Sequence, residues 1–93
     1  MVHERTYEEA WREGLPMFTV YDHPHDYPSE FVIRATRLVR LAGQPRIVDE
    51  GIVARGATLA AVRAQLQQLP LGPSLYCLPR QEGDDPVIVE MWI

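Results

Sequence analysis

The sequence predicts a two-layer α+β domain: an antiparallel or mixed sheet of four to five strands, one main helix over 58–69 and a short N-terminal helix over 6–14. Three observations carry this. Leu59, Val62, Leu66 and Leu69 form one narrow apolar stripe at helical spacing. Runs rich in β-branched and aromatic residues, separated by Gly and Pro, fill most of the remainder. The last run, Val87 to Ile93, is apolar on both faces and interrupted only by Glu90, so as a strand it needs cover on both sides.

Each element has its own signal. Thr6 and Glu9 form a Thr-x-x-Glu capping box, with Tyr7, Ala10 and Trp11 on one face and Gly14 at the far end. A helix this short is marginal alone, so Trp11 is expected to dock on something. Pro16 closes it, and Met17 to Tyr21 is short and β-prone. Residues 31–41 fit two templates. As a strand, Phe31, Ile33, Ala35, Val39 and Leu41 share a face broken only by Arg37; as a helix, Phe31, Ala35, Leu38 and Ala42 form a stripe. Phe31-Val-Ile favours the strand. Gly43-Gln-Pro marks a turn, and Arg46 to Arg55 a second strand with a bulge expected at Gly51. Thr58 caps the main helix, which Pro70 and Gly72 stop. Ser74 to Leu78 reads as a short strand and Pro79 to Pro86 as a polar loop. In the final strand, alternation puts Ile88 and Trp92 on one face and Val87, Val89, Met91 and Ile93 on the other. The main helix covers one side; the Trp11 helix, a second subunit or both are expected on the other.

The chain has 93 residues, room for one domain with a modest core. Residues 1–16 read as an extension and 17–93 as the domain. Formal net charge is −4, with no Lys and no Asn. An acidic chain without Lys lacks the signature of a nucleic-acid binder, so no nucleic-acid partner is expected. No long apolar run suggests a membrane span, and the start lacks the basic and apolar blocks of a signal peptide. A lone cysteine, Cys77, rules out an internal disulfide. The cytoplasm is the expected compartment. There is no Gly-rich phosphate loop, and no cofactor is expected.

Functional chemistry is densest at Tyr21-Asp-His-Pro-His-Asp-Tyr-Pro28, a palindrome about Pro24. Pro24 and Pro28 push His23 and Tyr27 towards extended backbone. If the stretch is extended, His23 and His25 point to one side and could share a metal, for which Cys77, Glu90 or His3 would have to supply a third ligand. Asp22 or Asp26 could equally orient an imidazole for acid–base work, but no nucleophile is evident. The simpler reading is a rigid connector, or a stiff recognition loop in which Tyr21, Asp22, His23, His25, Asp26 and Tyr27 meet a protein or small ligand. Arg34, Arg37, Arg40 and Arg46 form a local basic patch, read as a solvated sheet edge paired with Glu and Asp. Asp84 and Asp85 read as an Asx-type turn with Arg80 as countercharge. Cys77 is expected to be buried and inert.

From Met17 onward the chain resembles small uncharacterised bacterial proteins of the "domain of unknown function" type. The residues concerned are Val20-Tyr-Asp-His-Pro-His-Asp-Tyr-Pro28, Phe31-Val-Ile-Arg34, Leu78-Pro-Arg80 and Asp84-Asp-Pro-Val-Ile-Val-Glu-Met-Trp92. The resemblance implies a domain core starting near Met17 and carries no catalytic residue across. The expected function is a small non-enzymatic binding module, homodimeric through an apolar face that includes Ile88, Trp92 and Trp11. The alternative is a metal-binding protein or small enzyme using His23 and His25.

Overall fold

Strand β1 (Leu15–Asp22) is the centre of the sheet, because other strands pair along both of its edges. The computed structural model describes residues 6–93. Helix α1 (Tyr7–Arg12) precedes β1; then come β2 (Phe31–Leu41), β3 (Gln44–Gly56), α2 (Leu59–Gln67), a 3-10 turn at Gly72–Ser74, β4 (Cys77–Pro79) and β5 (Ile88–Trp92). The five strands form one antiparallel sheet in the order β3-β2-β1-β5-β4. The described residues thus make one α+β domain of the expected kind.

Residues 31–41 are strand, and their neighbours decide it: β2 pairs along its whole length with β3 and from Phe31 to Leu38 with β1. The β2–β3 turn is the two residues Ala42 and Gly43, both at positive φ (51° and 77°), as a tight hairpin requires. The bulge expected at Gly51 is present. Glu50 is skipped between the Thr36–Asp49 and Ala35–Gly51 pairs, and Gly51 takes φ 88°. A second skip at Val53 turns that side chain onto the core.

Both helix caps form as the sequence implies: Thr6 accepts from the Glu9 N–H at 3.2 Å and Thr58 from the Ala61 N–H at 3.1 Å. The α2 stripe is the heart of the core. Val62 and Leu66 are fully buried against Phe18, Val20, Ile33, Ala35 and Ala54, with Leu59 and Leu69 packed at the margin. Helix α1 sits further along the same face, towards the β2–β3 hairpin. Ala10 and Val39 are buried, and the Gly14 backbone approaches Val39 and Arg37 too closely for any Cβ. Trp11 docks as expected: its indole N–H donates to Glu50 at 3.1 Å, and the Arg37 guanidinium lies 4.2 Å from its ring.

Since α1 and α2 share one face, the Trp11 helix does not cover the other. Register places four rows on that other face. Ile47, Leu38 and Leu15 lie side by side at one end. Asp49, Thr36 and Met17 follow; then Ile52, Arg34, Thr19, Met91 and Leu78; then Arg55, Val32, Tyr21 and Ile88. Among the described residues, no helix lies over these rows.

One expected placement is corrected. β5 skips Val89 between its Glu90–Val20 and Ile88–Tyr21 pairs, so Ile88 falls on the helix-free face while Val89 and Trp92 pack on the core. Strict alternation had put Ile88 and Trp92 together; the bulge separates them.

Candidate functional site

The palindromic loop is not extended. β1 and β2 pair as far as Asp22 and Phe31, so the chain between them must fold back on itself. It does so in two consecutive turns: the Tyr27 N–H donates to the Pro24 carbonyl at 2.8 Å, and the Glu30 N–H to the Tyr27 carbonyl at 3.2 Å. His23 takes φ 48°, a left-handed conformation, and its N–H reaches the Glu30 carbonyl at 3.0 Å. Closure of the β1–β2 connection outweighs the extended preference that Pro24 imposes on His23.

The two turns divide the candidate residues between the two faces of the sheet. Asp22 pairs with Phe31 on the helix-bearing face, and there its carboxylate bonds the His23 imidazole Nδ1, while the ring packs edge-on against Phe31 at 5.0 Å. Tyr21 points to the opposite face. It lines a groove of about 210 Å3 with Pro24, Asp26, Tyr27, Val32 and Arg34. Tyr27 is held there by Arg55, whose guanidinium lies 4.5 Å from the ring and donates to Glu30 at 2.6 and 3.2 Å. The carboxylate of Glu30 raises the Arg55 pKa, chiefly through these hydrogen bonds. His25 and Asp26 are exposed at the tip. The loop therefore separates an Asp22–His23 pair from an aromatic groove instead of converging on one centre.

A metal site would need a third ligand beside His23 and His25. No group of three His, Cys, Asp or Glu among the described residues is placed to hold an ion; His3 lies outside them. Cys77 and Glu90 do meet, but with each other, away from the loop.

Their meeting is the feature sequence reasoning missed. Glu90 is buried on the core side of β5. Arg63 of α2 grips its carboxylate in a fork, with distances of 2.5 and 3.0 Å, and the Trp92 indole N–H donates at 2.7 Å. Hydrogen bonding from Arg63 lowers the Glu90 pKa, against the opposing effect of burial, with help from Trp92 and Cys77. Partial burial pushes the Cys77 thiol up, as do the charge and hydrogen bond of Glu90; Arg63 works weakly the other way. A thiol held protonated is a poor nucleophile. The cluster therefore acts as a clamp tying α2 to β5. Cys77 itself is exposed, contrary to expectation, because β4 is the outermost strand of the sheet among the described residues. The apolar-strand pattern marked Glu90 as an interruption; only Arg63, 27 residues earlier, explains it.

The remaining charged motifs are structural. Arg34 pairs with Asp49 at 2.9 Å and Arg37 with Glu50 at 3.2 Å, as read from the sequence, although β2 is an inner strand and β3 the edge. Asp85 makes the expected Asx turn to the Val87 N–H at 3.0 Å. Arg80 binds the Asp84 carbonyl at 3.2 Å, while the Asp84 carboxylate caps the Gln81 N–H at 2.9 Å. No helix of the described residues is long and apolar enough to cross a membrane. Comparison with family models, curated proteins and solved structures finds no match to this chain.

Proposed function

We propose that this chain is a small non-enzymatic interaction module whose helix-free sheet face is covered by a second copy of itself. The observation that carries the reading is where the exposed apolar side chains lie. Leu15 (46% exposed), Ile47 (62%) and Leu78 (41%) all fall on that face by register. Tyr76 (77%) joins them, because it exchanges both backbone hydrogen bonds with Ile93 and so continues the β4–β5 ladder by alternation. Partly exposed Met17, Ile52, Ile88 and Met91 lie between them. A contiguous apolar patch of this kind on a small domain marks an interaction surface.

Two features favour a second copy over a charged partner. The charges nearest the centre of the face, Arg34 and Asp49, already neutralise each other. The sheet edges are guarded: β4 is three residues ending in Pro79, and β3 carries two bulges with Arg46, Asp49, Glu50 and Arg55. Association is thereby directed to the face.

Sedimentation equilibrium across the micromolar range tests this. The expected result is twice the chain mass, with Ile47→Glu weakening association at least about tenfold, roughly 1.4 kcal/mol. Ile47 is mostly exposed, so this variant keeps its fold by circular dichroism. A wild-type monomer throughout that range contradicts the proposal.

A further inference from the structure

We infer that the two copies meet with their sheets reversed end for end, so that the Leu15–Leu38–Ile47 row of each seats against the Tyr21–Tyr27 groove of the other. This rests on the reading that a second copy covers the face, and it specifies how. Two features of relief lie at opposite ends of the same surface. At one end the loop rises above the sheet: Pro24, Asp26 and Tyr27 form the wall of a groove floored by Tyr21, Val32 and Arg34. At the other end lies the row of Leu15, Leu38 and Ile47, with two of the most exposed apolar side chains; Leu15 and Leu38 also border a groove shared with Glu13, Gly14 and Pro45. Leu15 and Tyr21 are six residues apart on β1, about 20 Å along a strand.

A closed pair related by a two-fold axis uses the same patch on both copies. Like faces can oppose each other only if that axis lies in the plane of the interface. An axis along the strands sets each row over its own copy. The raised loops then meet each other, hold the sheets apart and leave Leu15 and Ile47 without contact. An axis across the strands sets the loop of each copy over the exposed apolar row of its partner. It also exchanges the two middle rows. The row of Asp49, Thr36 and Met17 then overlies the partner's row of Arg34 and Thr19, so unlike charges approach. In the first arrangement the two sheet edges are exchanged, so Asp49 of β3 lies over the partner's β4 side, away from the partner's Arg34. Steric relief and charge thus select the same axis.

Cross-linking with a short bis-maleimide decides it. In a Cys77→Ala background, Leu15→Cys and Tyr21→Cys are purified separately and also co-expressed with distinguishable tags. The expected result is a cross-linked dimer of the mixed pair, at least tenfold more abundant than from either variant alone. Efficient cross-linking of Leu15→Cys to itself overturns the reversed arrangement while leaving association intact. A dimer by sedimentation that cross-links in neither setting overturns it as well. A wild-type chain that sediments as a monomer removes both the arrangement and the reading beneath it. Should Tyr21→Cys fail to fold, Arg55→Cys with Ile47→Cys repeats the test on β3, where both side chains are exposed and the same reversal sets one over the other.

Discussion

Leu66→Ala lowers the stability of the domain by about 3 kcal/mol, a large-to-small change at a site that cannot collapse. Leu66 is fully buried, in one cluster with Val62 of its own helix and Phe18, Val20, Ile33, Ala35 and Ala54 of three strands. A helix of nine residues rests on two such side chains, Val62 and Leu66, so neither can be spared. For a domain of this size the midpoint falls by roughly 4–8 °C per kcal/mol, and so by more than about 10 °C here. Leu71→Ala is the control: that side chain is exposed, and its loss changes stability by no more than about 0.5 kcal/mol. Thermal melts of both variants and the wild type, at one common concentration because association shifts the midpoint, measure the difference. Equal effects at the two positions contradict the assignment of the core.

Glu90→Gln is expected to cost about 2 kcal/mol at neutral pH. A pair severed deep in a protein costs about 3–5 kcal/mol, but the Arg63 side chain is 45% exposed and regains water when its partner is lost. The pH dependence separates this clamp from simple packing. The folded state holds the Glu90 pKa below its ordinary value, chiefly through the hydrogen bonds from Arg63. A depressed carboxylate contributes stability that is fully present above its unfolded pKa, about 4.3, and is lost as pH falls through the lower folded value. The wild type therefore forfeits its advantage over Glu90→Gln in acid. The gap between them, from denaturant melts, narrows below about pH 4. A gap that stays constant from neutral pH down to pH 3 removes the ion pair from the account.

The parts of the fold legible in the sequence are those fixed by local pattern. The α2 stripe, its Thr58 cap and the glycine bulge at Gly51 each follow from a few neighbouring residues. Residues 31–41 satisfied a helix and a strand equally well by spacing, and only β1 and β3 on either side make them a strand. The bulge at Val89 carries no Gly or Pro to announce it, and with it Ile88 changes face. The condition under which His23 and His25 would share a side, an extended palindrome, is not met for a related reason. Pro24 constrains the residue before it, but the joining of Asp22 to Phe31 dictates the turns, and turns send Tyr21 and His23 to opposite sides. The Arg63–Glu90 clamp joins two segments far apart in the chain, a contact that composition cannot disclose.

The reading of the molecule depends on the bare side of its sheet being closed by association. Hydroxyl-radical footprinting against concentration examines that side directly. Met17, Met91 and Tyr76 lie on it, while Trp11 lies on the helix-bearing side and is also exposed. Labelling of the first three is expected to fall as concentration rises through the micromolar range, with Trp11 unchanged as an internal reference. Labelling of Met17, Met91 and Tyr76 that stays constant at every concentration would show the face open to water and contradict the account.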